Sequence, residues 1–105
     1  MIREPVEPGY EPLADILDAA LDQAQRGKGK ERHANDRPFI QQPIMEIGRM
    51  VGPGFAIGQA IKKGQEATRL SSGSAQVREL LGAINYLAAA VLLIEEEVIK
   101  AQPCE

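Results

Sequence analysis

Ser71-Ser72-Gly73-Ser74-Ala75-Gln76-Val77-Arg78-Glu79-Leu80-Leu81-Gly82-Ala83-Ile84-Asn85-Tyr86-Leu87-Ala88-Ala89-Ala90-Val91-Leu92-Leu93-Ile94 is the stretch that decides the fold. Residues 71–74 read as a short turn, and Ser74 suits the N-cap of a helix. From 75 to 101 the apolar residues recur at helical spacing. Val77, Leu80, Leu81, Ile84, Leu87, Val91, Leu92, Val98 and Ile99 mark the main face. Tyr86, Leu93 and Ile94 widen that stripe, so between 84 and 94 the helix is apolar nearly all round. Such a helix is central to its fold or shared with another subunit. The sequence therefore predicts a homo-oligomer. The short turn before it makes it the second arm of an antiparallel helical hairpin.

Working outward, Pro43 can open an earlier helix whose buried face is Ile44, Ile47 and Val51. Gly52-Pro53-Gly54 breaks or sharply kinks it. A helix resumes with Phe55, Ile57, Ala60, Ile61 and Ala67. Gly58 and Gly64 within it each cost on the order of 1 kcal/mol against alanine. Two glycines in one short helix point to a close contact with a helix or a ligand. Towards the N-terminus, Pro12 suits a first helical position, and Leu13, Ile16, Leu17, Leu21 and Ala24 follow at helical spacing. Gly27 and Gly29 end that helix near 25 or 26. Residues 1–11, with Pro5, Pro8 and Gly9, read as an extended acidic arm. Residues 27–42 have neither a helical nor a strand period and read as a long basic loop with room for one helical turn. A loop of that length inside a domain is often functional. Nothing reads as a strand. The predicted fold is a single all-α domain over 1–105, a small helical bundle built around a C-terminal antiparallel hairpin.

Composition narrows the function classes. The chain has 105 residues, 44% hydrophobic and 26% charged, with a formal charge of −3 and one cysteine, Cys104. Those values exclude a collagen-like or low-complexity chain and a disulfide scaffold. The longest near-apolar run, 84–94, is short of the roughly 20 residues of a membrane span. The N-terminus has no secretory pattern, and the expected location is the cytoplasm. The charge is uneven. Residues 1–22 hold one basic and six acidic residues, 23–70 nine basic and four acidic, and 71–105 two basic and five acidic. A basic middle between acidic ends can present a positive patch on an acidic protein, or be neutralised by those ends.

The positive stretch supplies the candidate site. Lys28 and Lys30 are set off by Gly27 and Gly29, Arg32 and His33 follow, and Arg26 and Arg37 lie on either side. Glycine lets backbone N–H groups approach an anion, and Lys and Arg add charge-assisted bonds to phosphate. It is not a P-loop, whose Gly-x-x-x-x-Gly-Lys-Ser/Thr is absent. Gln59, Lys62, Lys63 and Glu66 share a helix face, so Lys62 and Lys63 could complete a phosphate site, or the face is solvated with a Gln59–Lys63 or Lys62–Glu66 pair. Tyr10 can stack on a base. His33 has no second histidine or suitable cysteine to form a zinc site with, so an anion contact suits it better. No metal and no cofactor is predicted. Sequence-specific DNA binding is disfavoured: the helix after Gly54 starts Phe55-Ala56-Ile57, apolar where a recognition helix carries base-reading side chains, and the net charge is negative.

Four stretches carry a resemblance: Lys28-Gly29-Lys30-Glu31-Arg32-His33, Phe39-Ile40-Gln41-Gln42-Pro43-Ile44, Gly58-Gln59-Ala60-Ile61-Lys62-Lys63 and Glu79-Leu80-Leu81-Gly82-Ala83-Ile84-Asn85-Tyr86-Leu87. They look like those of small uncharacterised phage and prophage proteins, over roughly residues 13–97. That resemblance implies a setting and no activity. The hairpin also resembles, in architecture alone, phage sponges that sequester cyclic nucleotide signals of bacterial defence. It is loosely similar as well to small all-helical nucleoside triphosphate pyrophosphohydrolases, which hold magnesium with Glu-Glu-x-x-Glu and Glu-x-x-Asp. Here Glu66 stands alone in its helix, Glu79-Leu80-Leu81-Gly82 has glycine in place of aspartate, and Glu95-Glu96-Glu97 is contiguous, so its members point in different directions. The leading expectation is a non-enzymatic phage protein that binds a nucleotide or another phosphate-bearing ligand. The alternatives are a protein–protein inhibitor of a host defence complex and a magnesium-dependent pyrophosphohydrolase.

Overall fold

The computed structural model describes residues 5–26 and 37–101. They form α1 (Glu11–Arg26), a 3-10 turn (Phe39–Gln41), α2 (Pro43–Val51), α3 (Gly54–Ala67) and α4 (Gly73–Ala101), with no strand among the described residues. The fold is all-α, as the periodicity predicts.

Local chemistry explains each boundary. Before α1 the chain makes a turn and is not simply extended. Tyr10 N–H donates to the Glu7 carbonyl at 3.0 Å, with Pro8 and Gly9 at the corner and Gly9 at φ +89°. Pro followed by a positive-φ glycine is the type II pattern. Pro43 opens α2 at its first turn. Gly52 closes it at φ +94°, its N–H donating to the Gly48 carbonyl at 2.7 Å. The cap of α4 is Ser72 and not Ser74: Ser72 Oγ accepts the Ala75 N–H at 3.2 Å, so the helix begins two residues earlier than its apolar spacing suggests.

α3 and α4 form the antiparallel hairpin and make the most extensive contact among the described elements. Gln76 Nε2 reaches the Ala67 carbonyl at 3.0 Å near the turn, and Phe55 meets Tyr86 edge to face at 6.5 Å at the far end. Alanines line the seam: Ala56, Ala60 and Ala67 from α3, and Ala89 and Ala90 from α4, are all buried. α1 lies antiparallel on a second side of α4. Asn85 Nδ2 donates to the Ala20 carbonyl at 2.9 Å, and Gln23 Nε2 to the Arg78 carbonyl at 3.2 Å. α2 closes the other end, where Arg49 grips Glu96 through two 2.9 Å hydrogen bonds.

Four expectations change. The buried residues of α2 are Met45 and Gly48, with Ile44 partly buried, whereas Ile47 and Val51 are exposed. Leu93 of α4 seats on Gly48, and that contact sets the helix rotation. Gly58 and Gly64 touch nothing that a side chain would meet. The close approaches are at Gly48, under Leu93, and at Gly82, under the Lys63 stem. Most of the apolar face of α4 is also turned outward. Val77, Leu80, Leu87, Val91, Ile94 and Val98 are 47–55% exposed, while Leu81, Ala89, Ala90 and Leu93 are buried. The near-apolar run of eleven residues, 84–94, also understates α4. The whole helix is long and apolar enough to cross a membrane by length and composition, and 22% of its most apolar stretch is buried.

Candidate functional site

A cavity of about 550 Å³ lies between α1, the 3-10 turn and α4. Its walls are apolar: Leu21 and Ala24 from α1, Phe39 and Ile40 from the turn, and Ala88 and Leu92 from α4. Gln25, Arg37, Gln42 and Asn85 supply the polar groups. Size and lining fit a small-molecule site, mostly apolar with a few polar groups to fix orientation.

Each polar group has a traceable position. Asn85 sits in the apolar run of α4 because α1 gives it a partner, the Ala20 carbonyl. That bond uses its amide N–H and leaves Oδ1 as the acceptor it can offer a ligand. Gln42 Nε2 donates to the Arg37 carbonyl at 2.9 Å, which ties the entry of the 3-10 turn to the start of α2. Arg37 Nη1 donates to Glu46 at 3.1 Å, an exposed pair. An exposed pair of this kind contributes little, so the guanidinium can exchange it for a ligand anion at small cost.

The predicted phosphate contacts are distributed as follows. Lys28, Lys30, Arg32 and His33 lie outside the described residues. Lys62 is exposed and lies 3.9 Å from Glu66 on the same helix. Lys63 turns inward to α4: its stem crosses Gly82, its Nζ stands 3.7 Å from Glu79 Oε2 and 5.8 Å from the Tyr86 ring centre. Burial raises the Tyr86 hydroxyl above its ordinary pKa of 10.0. Lys63 thus serves the hairpin interface. Tyr10 is exposed, just ahead of α1. Ala20 of α1 is level with Asn85, and Tyr10 lies ten residues back, roughly 15 Å further along the axis. Lys63 lies in the opposite direction, beside Glu79. The fold does not bring Tyr10 to the lysine pair.

The carboxylates are spread among these pairs as well. Glu66 faces Lys62, Glu79 faces Lys63, and Glu96 faces Arg49. Among the described residues no three His, Cys, Asp or Glu side chains are grouped to hold a metal ion. Sequence reasoning missed the cavity residues Phe39, Gln42 and Asn85. The one available signal was Asn85 itself, a polar residue inside an otherwise apolar run, which requires a partner. Comparison of the chain with protein-family models, with curated proteins and with solved structures gives no match.

Proposed function

We propose that the protein is a non-enzymatic binder of a phosphate-bearing small molecule with an apolar or aromatic body, a nucleotide being the simplest member of that class. One observation carries this reading. Gln25 and Arg37 stand on either side of the basic stretch in sequence, and both line the same apolar cavity. The cavity therefore has, in its lining, described residues close in sequence to Lys28, Lys30 and Arg32, and it offers a space suited to a ring. Arg37 supplies one charge at the rim, and Asn85 and Gln42 supply hydrogen-bonding groups. The resemblance to phage and prophage proteins gives the activity a setting: sequestering a cyclic-nucleotide signal of anti-phage defence in the host cytoplasm.

A thermal-shift and calorimetric screen of mono-, di- and cyclic nucleotides, with and without magnesium, tests it. A ligand at 100 times its dissociation constant stabilises the fold by about 2.7 kcal/mol. Binding without turnover is expected, lost in Ala88→Phe, which fills the cavity, and weakened in Arg32→Ala and Arg37→Ala. No binding across the panel overturns the reading in favour of a protein partner. Magnesium-dependent phosphate release that disappears in Glu66→Gln overturns it in favour of hydrolysis.

A further inference from the structure

The outward residues of α4 follow a stricter rule than helical amphipathicity. Val77, Leu80, Ile84, Leu87, Val91, Ile94 and Val98 are separated by three, four, three, four, three and four residues. That is an a/d heptad seam sustained along most of the helix. Ile84 is partly buried, and the other six are about half exposed. The residues beside the seam include Ala83 and Ala88, small enough to let a second helix come close. We infer that α4 pairs with α4 of a second copy of this chain, antiparallel, about a two-fold axis midway between Leu87 and Val91.

The register is self-complementary. With the axis there, Leu87 of one copy layers on Val91 of the other, Ile84 on Ile94, and Leu80 on Val98. Every a position meets a d position, and no polar residue enters the seam. Charge fixes the orientation. A parallel pair would set Glu95 and Glu97, which flank the seam, beside their counterparts in the other copy. The antiparallel pair separates them by roughly 20 Å along the axis, well beyond the Debye length of about 8 Å at physiological salt. Area agrees: seven such side chains offer on the order of 500 Å² per copy, and two copies reach the ~1,000 Å² of a specific interface.

A lipid bilayer fits the same helix less well. α1 lies alongside α4 at the level of Asn85, and its Asp15, Asp18 and Asp22 are exposed. Crossing a membrane would carry those acids into hydrocarbon or strip α1 away.

The test is sedimentation of the full chain from low to high micromolar concentration in physiological salt. Wild type is expected as a dimer. Leu87→Lys with Val91→Lys is expected as a monomer with unchanged helical circular dichroism. Should that variant lose its helicity, Leu87→Gln is the milder probe, expected to weaken the dimer by about tenfold or more. A wild-type monomer throughout, or a dimer indifferent to these substitutions, overturns the proposal. So does partition onto phosphatidylcholine vesicles without self-association. Orientation is read separately in a Cys104→Ser background. Mixed Ile84→Cys and Ile94→Cys chains are expected to form the cross-disulfide, and disulfides of each variant only with itself overturn the antiparallel register.

Discussion

Gly48 has no room for a side chain. A Cβ there would collide with Leu93 Cδ1 and stand near 3.1 Å from Cδ2, and Leu93 is itself 4% exposed. Gly48→Ala is therefore expected to destabilise the fold by about 1–3 kcal/mol. Gly58→Ala, in open space on a helix, is expected to stabilise it by about 0.5–1 kcal/mol. Thermal melts of the two variants check both signs. Sequence reading singled out Gly58 and Gly64, because glycine within a helix is visible in one dimension. Which glycine lies under a neighbour is a property of two helices and their rotation. Asn85 shows the same limit from the polar side. Its oddness inside an apolar run is plain in the sequence, but its partner, the Ala20 carbonyl, is 65 residues away.

Helices were legible element by element. Pro43, Gly52 and the apolar spacing of α1, α3 and α4 mark boundaries that the chain follows to within about two residues, the usual uncertainty of helix ends. Which face each helix buries was less legible. α2 carries apolar residues on more than one side, and α4 nearly all round, so periodicity alone allows several rotations. Contacts between elements then select one. Arg49 and Glu96 are such a contact between α2 and α4. The hydrogen bonds from Arg49 hold the Glu96 carboxyl below its ordinary pKa of 4.5, with Arg49 and Lys100 adding attraction. A carboxylate depressed in the folded state stabilises above its unfolded pKa, and that contribution is lost as pH falls through the folded value. The melting midpoint is expected to drop as pH falls below about 4.5. In Glu96→Gln the wild-type midpoint at neutral pH is reduced, and part of the acid dependence disappears. A pair of melting series against pH measures this.

At the scale of the molecule, the core is thin. Among the described residues, six of the nine buried hydrophobics are alanine, and Met45 is the largest side chain fully removed from solvent. Alanine buries little apolar area, but its small side chain lets α3 and α4 approach closely, and the dispersion contacts there add to the stabilisation. α1 adds Ala20 and two side-chain hydrogen bonds to α4, while its Leu13, Ile16, Leu17 and Leu21 stay about half exposed. Native-state hydrogen exchange is expected to show the slowest amides around Ala56 to Ala60 and Ala89 to Leu93. α1 should open in an earlier, lower-energy step. Equal protection in α1 and α4 would contradict this ordering.

By itself the sequence determined the helical class, the hairpin turn, the breaks at Gly52 and Gly54, and the placing of positive charge in the middle of the chain. These follow from propensity, capping and periodicity, which act between residues a few positions apart. Only the tertiary structure decided that alanines and not the larger aliphatics fill the α3–α4 seam, and that Lys63 spends its charge on Glu79. It also decided that Leu21, Phe39 and Leu92 line a cavity, and that the heptad face of α4 is left without a partner among the described residues. The reason is physical: burial and ion pairing are settled by which surfaces of distant segments meet, and an all-round apolar helix does not specify in advance which of its sides will be covered.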